Sequence, residues 1–188
     1  MASDFFASNV EKVLISEEQL QATVTRLAGE IEQTYQDSGR PLLLIGVLKG
    51  SIVFLADLMR ALHLPLMIDF VQASSYGAGT VSSGTVHLRL DLKQKDLSEV
   101  DVLVVEDILD SGNTLAFLLD YLRSKGANSV RLCVLLNKPA RRITEVPIDF
   151  EGLKIPDEFV VGYGLDFDER FRNLPFIGVP KREIYENC

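Results

Sequence analysis

Three apolar runs constrain this chain more than any other feature. Leu42 to Val47 (LLLIGV), Asp101 to Val105 (DVLVV) and Val130 to Leu136 (VRLCVLL) are short and nearly continuous. A strand with one wet face alternates apolar with polar residues. One without alternation is buried on both faces, the condition of a parallel sheet covered by helices on two sides. The connecting segments carry helical periodicity. After the first run a helix from about Ser51 to Leu62 would bury Phe54, Leu55, Leu58, Met59 and Leu62. After the second, Leu115, Leu118, Leu119 and Leu122 would turn inward until Gly126 stops the helix. The expected fold class is α/β, with a mostly parallel central sheet flanked by helices.

The rest of the chain fits the same plan. Ser16-Glu17-Glu18-Gln19 has the pattern of a capping box, and Leu20, Val24, Leu27, Ile31 and Tyr35 follow at helical spacing. A strand over Leu66 to Gln72 leads into ASSYGAGTVSSGT, Ala73 to Thr85, whose three Gly and four Ser bury little. Val86, Leu88, Leu90 and Leu92 then alternate with polar residues, the period of a half-buried strand. A long loop inside a compact domain is functional or disordered. From Pro147 onward only short extended pieces are expected, around Phe159 to Gly162 and Phe176 to Val179. No repeat or linker interrupts the 188 residues, which suit one domain.

Composition narrows the function. Asp and Glu number 27 against 19 Lys and Arg, a net charge of −8, and a phosphate backbone would need the opposite balance. An anionic ligand must therefore be met locally, and no nucleic acid is expected. Cys133 lies in an apolar run and Cys188 ends the sequence, so neither a disulfide framework nor a paired-cysteine metal site is expected, and a reducing compartment fits. MASDFFASNVEK lacks a basic stretch followed by an apolar one, and the longest apolar run, Pro41 to Leu48, is far short of the ~18 residues of a membrane helix. The expectation is a soluble, cytoplasmic protein that meets no membrane.

The chemistry concentrates in VVEDILDSGNT, Val104 to Thr114. Gly112 permits a positive φ, and the amides of Ser111 to Thr114 would stand at a helix N-terminus, where free donors and the helix dipole attract an anion. The turn alone has a second reading, as a capped helix start with Asp110 or Ser111 as N-cap. The adjacent acids Glu106 and Asp107 favour the first. Two carboxylates at a strand end repel unless ribose hydroxyls or Mg²⁺ offset them. GVLKGS is not a P-loop, and neither YGAGTVSSG nor VGYGLDF completes a dinucleotide-binding glycine set.

VLVVEDILDSGNT resembles the phosphoribosyl-pyrophosphate motif of the type I phosphoribosyltransferases. LLIGVLKGS, ASSYGAG, LLNKPARR and IPDEFVVGYGLDFDERFRNLPFIGV occur in the order found in the bacterial-type hypoxanthine-guanine branch, and the likeness spans roughly Leu14 to Val179. It implies the type I fold, with a core over about 38–150, a hood from the N-terminal residues and about 151–188, and a mobile lid over about 73–85. It further implies a Mg²⁺-dependent transfer of phosphoribosyl from phosphoribosyl pyrophosphate to hypoxanthine or guanine, giving IMP or GMP and pyrophosphate, by a homodimer or homotetramer.

The resemblance also assigns roles. Glu106 and Asp107 would hold the ribose hydroxyls; Ser111, Gly112, Asn113 and Thr114 would cradle the 5′-phosphate; Asp110 would manage a proton near purine N7. Lys49, Gly50, Arg142 and Arg172 would meet pyrophosphate, with the Leu48-Lys49 peptide commonly cis. Lys138 would donate to the purine O6, Phe159 would stack on the base, and Val160 and the region of Asp166 would touch its edge. Glu106, Asp107 and Asp166 would serve the metal, and Ser75 and Tyr76 the lid. Asn113, Ser111 and Asn137 depart from residues common elsewhere in the family.

Taken singly, several of these residues have plainer readings: Phe159 as core beside Val160 and Val161, Lys138, Arg141 and Arg142 as solvated charges, Asp166 and Arg172 as an acidic turn with its partner. Their co-occurrence in family order decides for the site. Two alternatives stay open, a xanthine-preferring relative and a phosphoribosyl-pyrophosphate sensor that binds nucleic acid.

Overall fold

The residues of each buried run divide between two cores. In the computed structural model, which describes residues 9–75 and 86–185, Leu42 and Leu44 join Leu103 and Val105 in one cluster, while Leu43 and Ile45 join Val102 and Val104 in the other. Alternate side chains of a strand point to opposite faces. This is why the runs do not alternate.

Eight strands and four helices carry the described residues: β1 (Val10–Ile15), α1 (Glu17–Tyr35), β2 (Leu42–Val47), α2 (Ile52–Ala61), β3 (Leu66–Ser75), β4 (Val86–Leu90), β5 (Asp101–Leu109), α3 (Asn113–Ser124), β6 (Ser129–Asn137), β7 (Phe150–Lys154), β8 (Ile177–Pro180) and the single turn α4 (Arg182–Tyr185), with a 3₁₀ turn at Pro139–Arg141. Six strands form the central sheet in the order β4-β3-β2-β5-β6-β7. All its pairings are parallel except β3 with β4. The remaining strands, β1 and β8, make a separate antiparallel pair. Fold class agrees with the reading of the runs.

The first cluster packs α1 and α2 onto one face through Leu20, Leu27, Ile31, Phe54, Leu55 and Leu58. The second packs α3 onto the other through Leu115, Leu118, Leu119 and Leu122. The capping box of α1 is present in both directions, Gln19 N donating to Ser16 Oγ and Ser16 N to Gln19 Oε1.

Element ends differ from the sequence reading in ways that matter. β5 does not stop at Val105 but stays paired with β6 through Leu109, so Glu106 and Asp107 sit within the strand. β3 runs to Ser75, whose backbone pairs with Val86 across the expected loop. Tyr76 and the remainder of that loop lie outside the described residues. β1 and β7 were not anticipated. Six and five residues long, they have mixed burial with little alternation, and pairing with distant strands makes them extended. Met59 is only partly buried.

Candidate active site

The sheet order reverses between β2 and β5: the chain moves outward through β3 and β4 on one side and through β6 and β7 on the other. At such a switch point the connections diverge and leave a crevice beyond the carboxyl ends of the strands. The turns after β2, β5 and β6 meet there and carry Lys49, Gly50, Asp110 to Thr114, Lys138 and Arg142, while Glu106 and Asp107 lie within β5 and Phe159, Val160, Asp166 and Arg172 between β7 and β8.

Adjacent residues of a strand face opposite ways, and Glu106 and Asp107 part accordingly. Glu106 lines a cavity of about 100 Å³ with Ile108, Leu109, Asp110, Ser111, Gly112, Thr114 and Leu115. Asp107 instead lies against Gly50, where a Cβ would stand 1.6 Å from Asp107 Oδ2. Only glycine lets the β2 turn approach this closely. Burial pushes both carboxyls up, Asp107 to about 6 and Glu106 well above the usual carboxylate range with the Asp107 charge adding to it. Glu106 Oε2 is buried without a protein partner.

The helix start after β5 settles the two readings of DSGNT locally. Gly112, at φ +88°, is the N-cap of α3, and no side chain caps the helix. Neither Asp110 nor Ser111 occupies the end of its dipole. The loop is held from the far side. Ser111 O accepts from the amides of Ile143 and Thr144 at 2.9 Å, Thr144 Oγ1 donates to Asn113 Oδ1 at 2.6 Å, and a Cβ on Gly112 would lie 2.1 Å from Thr144 O. Arg142 is a strut rather than a free cation: its Nε donates to Asp110 O at 3.0 Å and its Nη2 to Asn137 Oδ1 at 2.5 Å, with Asn137 Nδ2 in turn on Glu151 Oε1. Asp110 itself keeps Oδ1 buried and without a protein partner.

On the β2 side the Leu48–Lys49 peptide is cis. Lys49 Nζ reaches Glu169 Oε1 at 2.9 Å, and Arg172 binds Asp166 Oδ1 at 2.9 Å and Glu169 Oε2 at 3.3 Å while its Nη1 donates to Gly164 O at 2.8 Å. Among the described residues no group of three or more His, Cys, Asp or Glu is arranged to hold a metal ion by itself.

On the β6 side Lys138 is only 5 % exposed, and its Nζ donates to Glu158 O at 3.0 Å and pairs with Asp157 Oδ1 at 2.8 Å. The ammonium hydrogen bond holds the Asp157 carboxyl below its usual range. Phe159 is not core: its ring is 40 % exposed, edge-on to Phe167 at 5.7 Å and tilted against Tyr185 at 5.1 Å. Val160 is buried beneath it.

A helix N-terminus free of side-chain caps, an acid beside it with Oδ1 buried and unpartnered and Oδ2 3.8 Å from Arg141 Nη1, and a desolvated lysine just after the next strand can hold a phosphorylated ligand with a polar ring. The family model of the phosphoribosyl transferase domain matches residues 15–168. The chain belongs to the phosphoribosyl transferase family. Within it, the chain is 48 % identical over 179 residues to the hypoxanthine-guanine phosphoribosyltransferase of Bacillus subtilis, covering 95 % of this chain and 98 % of that protein. It is 49 % identical over 178 residues to the bifunctional protein TilS/HprT of Listeria monocytogenes, covering 95 % of this chain but only 27 % of the longer relative. A crystal structure of the hypoxanthine phosphoribosyltransferase of Staphylococcus aureus superposes with a TM-score of 0.90 at 42 % identity, covering 96 % of this chain and 97 % of that one.

For this phosphoribosyl transferase domain the sequence reading passed over Asp157, Glu158 and Glu169. Asp157 and Glu158 stand two and one residues before Phe159 in IPDEF, which could have flagged them as neighbours of a base-stacking ring. Glu169 is the third acid of GLDFDER, and nothing in the sequence separates it from a solvated turn.

Proposed function

We propose that the chain transfers the phosphoribosyl group of phosphoribosyl pyrophosphate to N9 of hypoxanthine or guanine, releasing pyrophosphate and forming IMP or GMP. The observation that carries this reading is Asp110 Oδ1, buried without a protein partner beside the uncapped N-terminus of α3. The amides and hydroxyls of Ser111 to Thr114 hold the 5′-phosphate there, held in place from behind by Thr144 and Arg142. Glu106, lining the same cavity, accepts from ribose hydroxyls.

Reaction breaks the bond from C1′ to pyrophosphate oxygen and makes the bond from C1′ to N9. Asp110 accepts the purine proton as N9 gains a bond, typically contributing ~10²–10⁴-fold. Lys138 has three N–H donors. Two are committed to Asp157 and Glu158 O, and the third is left for a carbonyl oxygen. A 6-oxo purine satisfies it, whereas adenine would set an NH₂ against it. The exposed ring of Phe159 stacks on the base.

Mg²⁺ fits the chemistry of this site, since the buried oxygen of Glu106 lacks a protein partner, and one or two of Glu106, Asp107 and Asp166 would hold it. When bound it supplies a Lewis acid that offsets charge on the departing pyrophosphate. A cytoplasmic location and a homodimer or homotetramer are supported by the family resemblance.

Pyrophosphate release with hypoxanthine, guanine, xanthine and adenine, each with and without EDTA, tests the reading. Metal-dependent turnover with the first two and none with adenine is expected. Asp110→Asn should lower kcat by ~10²-fold or more with little change in substrate KM. Unchanged turnover would remove Asp110 from the mechanism.

A further inference from the structure

Lys49 and Arg172 carry the charge that the reading above gives to pyrophosphate, yet they are joined by a single carboxylate. Glu169 Oε1 lies 2.9 Å from Lys49 Nζ and Oε2 lies 3.3 Å from Arg172 Nη2, one oxygen to each cation, with Asp166 Oδ1 also on that Nη2 at 2.9 Å. That is how a phosphoryl group would bridge them. The turn that presents Glu169 is built for it. Asp168, Glu169 and Phe171 all hold positive φ, at 50°, 60° and 75°, a region that costs of order 1 kcal/mol or more for such residues. Phe167 and Arg170 close the turn by exchanging two backbone hydrogen bonds, and Asp166 Oδ2 accepts from Glu169 N at 2.9 Å. The carboxyl of Glu169 is held below its usual range, chiefly by Lys49 and then by Arg172.

We propose that Glu169 is an internal competitor for the pyrophosphate subsite: its carboxylate neutralises Lys49 and shares Arg172 with Asp166 until the diphosphate displaces it, and it returns to both cations as pyrophosphate leaves. This inference rests on the pyrophosphate role of Lys49. It makes Glu169 a determinant of product release rather than of chemistry. Being displaced and returning in each cycle, it limits how tightly the site holds its product. Its side chain is exposed enough for that exchange, at 65 %.

Magnesium pyrophosphate binding by calorimetry, read beside product inhibition of the full chain, tests the proposal. Glu169→Gln should tighten pyrophosphate roughly two- to fivefold, the range of one exposed pair. The effect should shrink in ~0.5 M salt, and the inhibition constant should fall in parallel. Asp168→Asn removes the same charge from the same turn, but Asp168 pairs with Arg170 at 2.8 Å. It should leave pyrophosphate affinity where it is. Lys49→Ala separates the two claims. If it weakens pyrophosphate while Glu169→Gln matches wild type or binds more weakly, Glu169 is no competitor and the proposal fails alone. If Lys49→Ala leaves binding unaltered, the pyrophosphate assignment fails and takes the proposal with it. Equal tightening by Asp168→Asn would reduce the effect to bulk charge and also overturn it.

Discussion

Asp107 shows most directly what a single buried carboxylate costs the fold. Its carboxyl is raised to about 6 by burial, so below an unfolded-state value near 3.8 the folded and unfolded chains carry it protonated alike. As pH rises from there through about 6 the unfolded state ionises first, and folding stability is lost. Asp107→Asn should therefore raise the melting temperature of the ligand-free protein at pH 8, by an amount equivalent to ~1–3 kcal/mol. The gain should vanish near pH 4. A pH series of thermal unfolding reads both. The same variant should bind phosphoribosyl pyrophosphate poorly in the presence of Mg²⁺, because an amide cannot supply the negative charge proposed to hold the ion. Wild-type affinity for that ligand should likewise fall as pH drops through about 6. A melting curve for the variant that matched wild type at every pH would mean that Asp107 is not desolvated as described.

At the scale of elements, the loop from Asp110 to Thr114 depends on the segment behind it. Gly112 has φ +88°, and a Cβ there would run into Thr144 O. Gly112→Ala should destabilise by ~1–3 kcal/mol and raise the KM for phosphoribosyl pyrophosphate at least several-fold, while KM for purine moves less. Thermal melting and two-substrate kinetics measure these separately. How much of this was legible beforehand follows the range of the interactions. LLLIGV, DVLVV and VRLCVLL announced buried strands because both faces must be apolar, and Gly112 was marked by local backbone rules. Phe159 and Lys138 reversed their plain readings: the ring is exposed and the lysine buried, since what surrounds each is fixed by Asp157, Glu158, Phe167 and Tyr185, on other segments. The bridge from Lys49 to Glu169 spans 120 residues and left no periodic trace. Arg142 is placed near pyrophosphate by resemblance, and the partners of its Nε and Nη2, Asp110 O and Asn137 Oδ1, could not be read from the sequence.

For the whole molecule the relevant quantity is the sum of charge. A net −8 surrounds the proposed phosphoribosyl pyrophosphate site, so on that reading distant charge repels the substrate while Lys49 and Arg172 attract it at close range. Salt screens the distant contribution first. Raising ionic strength from ~0.02 to ~0.1 M should leave kcat/KM for phosphoribosyl pyrophosphate level or modestly higher. A steep fall, of the kind that nucleic-acid-binding surfaces give, would argue for a broad cationic surface instead.

One strand carries both the core and the chemistry. β5 is apolar from Val102 to Val105 and then carries Glu106 and Asp107, the carboxylates proposed for the site, while it stays paired with β6 as far as Leu109. Evolution by insertion is closed to it. One residue added ahead of Glu106 would turn each carboxylate to the opposite side of the sheet, trading the cavity for the β2 turn, while nearly every hydrophobic position nearby could still be filled. Such a lineage would fold and be inert, so the spacing of this strand is open only to substitution.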